Sequence, residues 1–146
     1  MADDGGISRV RKRLAAIPKN IIREIQPALR RSAEEMVAGM KALAEPHRKT
    51  GALIESIVIT EAGKATPPYS QPGGSITVPD NAIAITVGNT EVRYGHLLEY
   101  GHSKGFHGSP VPPHPFFWPV VRSHRKRAAN RIKRAARKGV RKEWGK

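Results

Sequence analysis

Between residues 18 and 46, apolar side chains recur at Ile22, Ile25, Leu29, Ala33, Met36, Met40 and Leu43. Steps of three and four put them on one face, so the spacing predicts a long amphipathic helix. Pro18 suits its first turn, and Pro46 stops it. Pro27 is expected to kink it or to begin a second helix. Ahead of it, "MADDGG" reads as a frayed leader and "ISRVRKRLAAI" as a short helix ending before Pro18.

After Pro46 the pattern changes. Thr50 and Gly51 predict a turn, and "LIESIVITE" alternates with enough β-branched residues to predict a strand. "KATPPYSQPGGS" is rich in proline, glycine and serine and predicts an exposed loop. Two further short strands are expected at Ser75–Val78 and Ala82–Gly88, joined by a Pro-Asp-Asn turn into an antiparallel meander. In "TEVRYGHLLEYGH" the pattern predicts a short helix with Thr90 as its N-cap and Gly101 just past its end. From Phe116 the chain is expected to be helical again as far as Trp144, with Gly139 a candidate interruption.

The succession of helix, strand, loop, strands, helix, loop and helix predicts an α+β fold with a small antiparallel sheet packed against helices. The chain divides into a leader with a short helix (1–17), an α+β domain (18–121) and a basic helical extension (122–146).

Composition narrows the picture. The 146 residues suit one compact domain, and with 38% apolar and 5% aromatic residues its core must be small and mainly aliphatic. Such a core, beside so many cations, suggests projecting elements that bury surface only in an assembly. The absence of cysteine excludes disulfides and thiolate metal sites and fits a reducing cytosol. The N-terminus has no apolar segment of the secretory kind, and no apolar run is long enough to cross a bilayer, so a soluble protein is expected.

The charge is uneven. Net charge is +14, and from Arg122 to Lys146 nearly half the residues are Lys or Arg, with Glu143 the only acid. On a helix Arg127, Arg131, Arg134 and Lys138 share one face, while Arg122, Arg125, Lys133 and Arg137 spread charge onto others. Val121, Ala128, Ile132, Ala135, Ala136 and Val140 give a thin apolar stripe. The candidate contacts for DNA or an acidic partner are therefore Arg122, Arg125, Lys126, Arg127, Arg131, Lys133, Arg134, Arg137, Lys138, Arg141 and Lys142. Charge alone does not choose between a phosphate backbone and an acidic protein surface.

Aromatic residues, histidines and prolines crowd between Val92 and Val120. His96, Glu99 and His102 stand at three-residue steps, a spacing a zinc site can use. Gly101 should end the helix before His102, and neither HExxH nor HxxEH occurs. The plainer reading is a structural helix whose Glu99 pairs with a basic neighbour. His102, His107 and His114 lie in a loop with only Ser103 and Ser109 as nearby nucleophiles, which argues against general-base chemistry. "GKATPPYS" lacks the glycine spacing and strand-to-helix context of a phosphate loop. "HPFFWPVV" reads as core filling, held extended before a helix by its prolines. No catalytic residue, metal or cofactor is predicted.

Three short motifs, in order, carry a resemblance. "HRKTGALIESI" resembles the (R/K)TGxLxxSI motif of the gene-product-ten-like minor tail family of lambdoid Hong Kong phages. "YGHLLEYGH" is similar to that family's Tyr-Ala-x-x-(Val/Leu)-Glu-(Phe/Tyr)-Gly-Thr segment, with Gly95 and His102 in place of its alanine and threonine. "PPHPFFWPVV" resembles its Pro-Phe-(Leu/Phe)-x-Pro-Ala element, and the resemblance runs from about Pro18 to Arg137. It implies a non-enzymatic structural protein of the head-to-tail neck of a tailed phage or phage-like particle. The implied role is tail completion, tail termination or connection.

The implied assembly is a ring, a hexamer, around the channel through which DNA passes. Its implied neighbours are stopper or adaptor proteins and the tail tube or terminator, with genomic DNA in the lumen and no membrane. By the same resemblance Thr50, Gly51, Leu53, Ser56 and Ile57 form the turn and first strand. Tyr94, Leu98, Glu99, Tyr100 and Gly101 form the short helix and its cap. Pro115, Phe116, Phe117 and Pro119 strap that helix to the sheet. The long basic extension is less typical, and a stand-alone nucleic-acid-binding protein is the alternative.

Overall fold

The computed structural model describes residues 19–102, 110 and 112–144. The expected N-terminal helix, Pro18, His107, Ser103 and Ser109 lie outside them. The chain is α+β: helix α1 (Lys19–Ala44), a 3-10 turn (Glu45–His47), the one-turn helix α2 (Ala52–Glu55), strands β1 (Val58–Thr60) and β2 (Ala84–Thr86), the short helix α3 (Gly95–Tyr100) and helix α4 (Trp118–Trp144).

Helix α1 is continuous through Pro27 rather than divided by it. Its buried face is turned slightly from the one the apolar pattern predicts. Ile21, Ile25, Ala28, Ser32, Ala33, Met40 and Ala44 are buried, whereas Leu43 is 46% exposed. The reason is its partner. Helix α4 runs antiparallel along α1, with Gly39 beside Val120 at one end and Gly139 beside Ile21 and Glu24 at the other. Small residues on the facing side let the helices approach closely. Gly139 therefore does not interrupt α4: a Cβ there would stand 3.3 Å from Ile21 Cα and Glu24 Cβ. The expected boundary at 121/122 falls inside this helix.

The sheet is smaller than the three-strand meander expected. It is a two-stranded antiparallel ladder with Val58 opposite Thr86, Ile59 opposite Ile85 and Thr60 opposite Ala84. Thr77 makes only an isolated bridge to Ala65, and Gln71 another to Val87. The intervening loop is locked by its own polar groups rather than simply exposed. Thr66 Oγ1 donates to Gly74 O at 2.7 Å and accepts from Ile76 N at 2.8 Å, and both Thr66 and Ser70 are buried.

The segment expected to be all strand divides in two. Gly51, at φ +84°, precedes α2, and Thr50 Oγ1 accepts the Ala52 N–H at 3.3 Å. That conformation is open to glycine and starts a helical turn before the strand can begin. Leu53 therefore lies in α2, Ser56 caps it, Ile57 links it to β1, and only from Val58 is the backbone a strand. The core gathers Met40, Leu53, Ile54, Ile57, Val87, Val92, Phe116, Phe117 and Val120, with Phe116 fully buried at its centre.

Candidate assembly site around helix α3

Helix α3 begins at Gly95 and not at Thr90. The turn before it belongs to Asn89, whose Oδ1 accepts the N–H groups of Glu91 and Val92 at 2.9 and 3.0 Å. This side-chain mimic of a backbone turn satisfies amides that Thr90 would otherwise have to cap. Tyr94 precedes the helix and Gly101 closes it at φ +69°. Gly95 is buried against Leu53 and Val87, so the inner side of α3 sits on the core.

Glu99 is the centre of the arrangement. It is 6% exposed, and it meets backbone amides instead of the basic neighbour expected for it. Oε2 accepts from Phe116 N at 2.8 Å and Phe117 N at 2.9 Å, and Oε1 accepts from Trp118 N at 3.0 Å. These amides open α4, where the first N–H groups have no partner within the helix and the dipole favours negative charge. One carboxylate thus caps a 27-residue helix from another element.

The strap residues complete the joint. His114 N donates to Leu98 O at 2.8 Å. Phe116 and Phe117 fill the core below, Pro115 is exposed, and Pro119 occupies the first turn of α4. On the first motif, Ser56 performs a similar service. Its hydroxyl donates to Leu53 O at 2.6 Å and accepts from Gly88 N at 3.0 Å, tying the end of α2 to the turn that follows β2.

Glu99 is engaged in capping, His96 is exposed and His102 lies past Gly101. Among the described residues no cluster of three or more histidines and acids is placed to hold a metal ion. His114 stacks on His47 with ring centroids 4.0 Å apart, joining the strap to the 3-10 turn.

The outer side of α3 is apolar and open. Tyr94, Leu97 and Tyr100 are 43%, 37% and 67% exposed. Around them an open cleft of about 610 Å³ lies between the 3-10 turn, α2 and α3; Ala44, Leu53, Ile54, Leu97 and Leu98 give it an apolar wall, and His47, Arg48, Lys49 and Thr50 line it as well. Exposed aromatics beside a cleft of this kind are what a packed protein interface uses as anchors.

The basic helix is sorted by its packing. Arg131 does not face outward. Its guanidinium bonds Glu35 at 2.9 and 3.1 Å and Ser32 Oγ at 3.0 Å. Arg127 stands 3.9 Å from the same carboxylate, and Lys142 Nζ meets Glu24 at 2.5 Å. The Arg131 hydrogen bond holds Glu35 below the ordinary carboxylate range, and Lys142 does the same for Glu24. These cations fasten α4 to α1. The missed signal was on α1, where Glu24 and Glu35 stand three turns apart, in register with basic residues of an antiparallel partner. Arg122, Arg125, Lys126, Lys133, Arg134, Arg137, Lys138 and Arg141 are all exposed. No described helix is long and apolar enough to cross a membrane.

Comparison with known proteins gives a family. The model described as "Bacteriophage HK97-gp10, putative tail-component" matches residues 8–101, which reach from before α1 to the end of α3. The search of curated proteins and the search of solved structures each return no match.

Proposed function

This chain belongs to the HK97-gp10-like family of phage tail components, and from that premise we propose that it is a structural subunit of the joint between tail and head. In this reading it has no catalytic role. It completes or terminates the tail, or connects it to the head, as one member of a ring around the DNA channel, with hexameric closure. Its neighbours are other copies of itself, the stopper or adaptor on the head side, and the tail tube or terminator on the other.

The observation that carries this reading is the match over residues 8–101. The surface of α3 supports the ring. Tyr94, Leu97 and Tyr100 form an exposed apolar ridge, and Tyr94 and Leu97 also line the cleft at its edge. A ridge on one copy that packs against a different patch of the next makes a head-to-tail contact, and such contacts close into rings when the rotation allows.

Gold-labelled antibody against the chain tests the placement in purified particles. Label confined to the head–tail junction is expected. Label spread along the tail, or found only on heads, contradicts the reading.

A further inference from the structure

We propose that the outer face of α4 is a sequence-blind binding surface for the phosphate backbone of nucleic acid. Packing against α1 divides the helix into two sides. Phe117, Val120, Ala128, Arg131 and Gly139 turn inward or lie against α1. On the opposite side Arg122, Lys126, Lys133, Arg137 and Arg141 follow one another at steps of four and seven, with Asn130 in the place between Lys126 and Lys133. Those steps make a continuous band that winds through about 100° of the helix surface and is about 28 Å long at 1.5 Å per residue. All of these residues are exposed.

Two features point to a polyanion with a regular backbone. The first is self-repulsion. Like charges four residues apart destabilise a helix, and this row holds three such pairs, Arg122 with Lys126, Lys133 with Arg137, and Arg137 with Arg141. No acid lies between Arg122 and Lys142 to relieve them, and of the acids of α1 Glu24 and Glu35 are spent on Arg131, Arg127 and Lys142 at the seam while Glu34 pairs with Arg30 on its own helix.

The second is the lack of an anchor. Protein interfaces are centred on buried aromatic or apolar side chains and are depleted in lysine. Between Trp118 and Lys142, the part of α4 whose side-chain exposure is described, Val140, 38% exposed, is the one exposed large apolar side chain. A row of cations with Ser123, Ala129, Asn130 and Val140 interspersed suits phosphates, which need charge and hydrogen-bond donors and no apolar pocket. The row carries no group arranged to read bases, so affinity is electrostatic and independent of sequence. This surface does not depend on where in a particle the chain sits.

Fluorescence anisotropy of the full-length chain with short DNA duplexes of unrelated sequence tests the proposal, read across a salt series. The expected result is equal affinity for all sequences, with log K falling linearly against log salt. The double variant Lys126→Gln/Lys133→Gln binds roughly tenfold more weakly, with a slope shallower by about 2, since each lost phosphate contact removes about 0.9.

The variant Lys49→Gln/Lys64→Gln removes the same charge from another part of the surface and leaves affinity and slope close to those of the parent. Circular dichroism confirms that both variants remain folded. Absence of duplex binding overturns the proposal. So does equal weakening by the two variants, which assigns binding to net charge, or tighter binding of poly-glutamate than of duplex, which assigns the face to an acidic protein.

Discussion

Glu99 Oε1 accepts the Trp118 N–H at 3.0 Å across 19 residues of sequence, so the end of one motif caps the helix that follows the next. The helix α3, the strap and the start of α4 are thereby one joint. The aromatic and proline-rich stretch is built to hold this carboxylate against three amides, and its histidines stand around the joint without forming a metal cluster among the described residues.

Removing the carboxylate leaves three amides at the start of α4 without their acceptor, two of them in buried residues. Glu99→Ala is expected to cost about 2–4 kcal/mol, the range for hydrogen bonds to a charged group together with unsatisfied donors. His96 is exposed, and His96→Ala should stay within about 0.5 kcal/mol. Denaturant unfolding compares the two. Similar losses in both, or a rise in melting temperature on adding zinc, would favour a metal site over a cap.

Two buried hydroxyls, Ser56 at the end of α2 and Thr86 on β2, should respond in opposite ways. Ser56 Oγ bridges Leu53 O and Gly88 N, so Ser56→Ala is expected to lose about 1–2 kcal/mol. Thr86 is 2% exposed, and among the described residues its Oγ1 has no hydrogen-bond partner. Thr86→Val keeps the branched shape and removes an unsatisfied group, so a gain of about 1 kcal/mol is expected. Thermal melts of the pair decide the matter, and a loss at Thr86 would mean that its hydroxyl has found an acceptor.

Phe116 is fully buried in a core with few other large side chains. Truncation to alanine is expected to cost about 3–5 kcal/mol, a large share of the stability of a domain this small. Equilibrium unfolding of Phe116→Ala, with Pro115→Ala as the exposed neighbour, should show a large shift for the first and little for the second.

The seam between α1 and α4 should weaken in acid. Arg131 lowers the pKa of Glu35 in the folded chain below its unfolded value, chiefly through their hydrogen bond. A group depressed in this way adds stability that is present above the unfolded pKa and is lost as pH falls through the folded one. The loss is expected below roughly pH 4, the ordinary glutamate range. Melting temperature followed from pH 6 to pH 3, a window of about 3 units, should fall less steeply in Glu35→Gln than in the parent. Parallel curves would remove Glu35 from the account.

Much of the fold was legible because its signals are local. The period of apolar residues gave α1, the glycines and prolines gave the loops, and the α+β order followed. The misplacements have tertiary causes. Leu53, Ile54 and Ile57 have strand-like composition, but Gly51 in the left-handed region starts a helical turn that the core then buries.

Leu43 is expected on the inner face, yet it is 46% exposed while its neighbour Ala44 is buried in the core, because the packing of α1 turns its buried face slightly from the apolar pattern. Arg131 looked like part of an outward basic face, and only the antiparallel placement of Glu35 turns it inward. Glu99 was singled out from its spacing, but its partners lie on the other side of a loop, and no local pattern records such a contact.

We propose that this tail component acts where tail meets head. Electron microscopy of particles from a producing strain that lacks the gene tests this most directly. Filled heads lying apart from tails, or tails with abnormal ends or lengths, are expected, with normal particles once the gene is restored. Intact, normally tailed particles from the deletion strain would contradict the proposal.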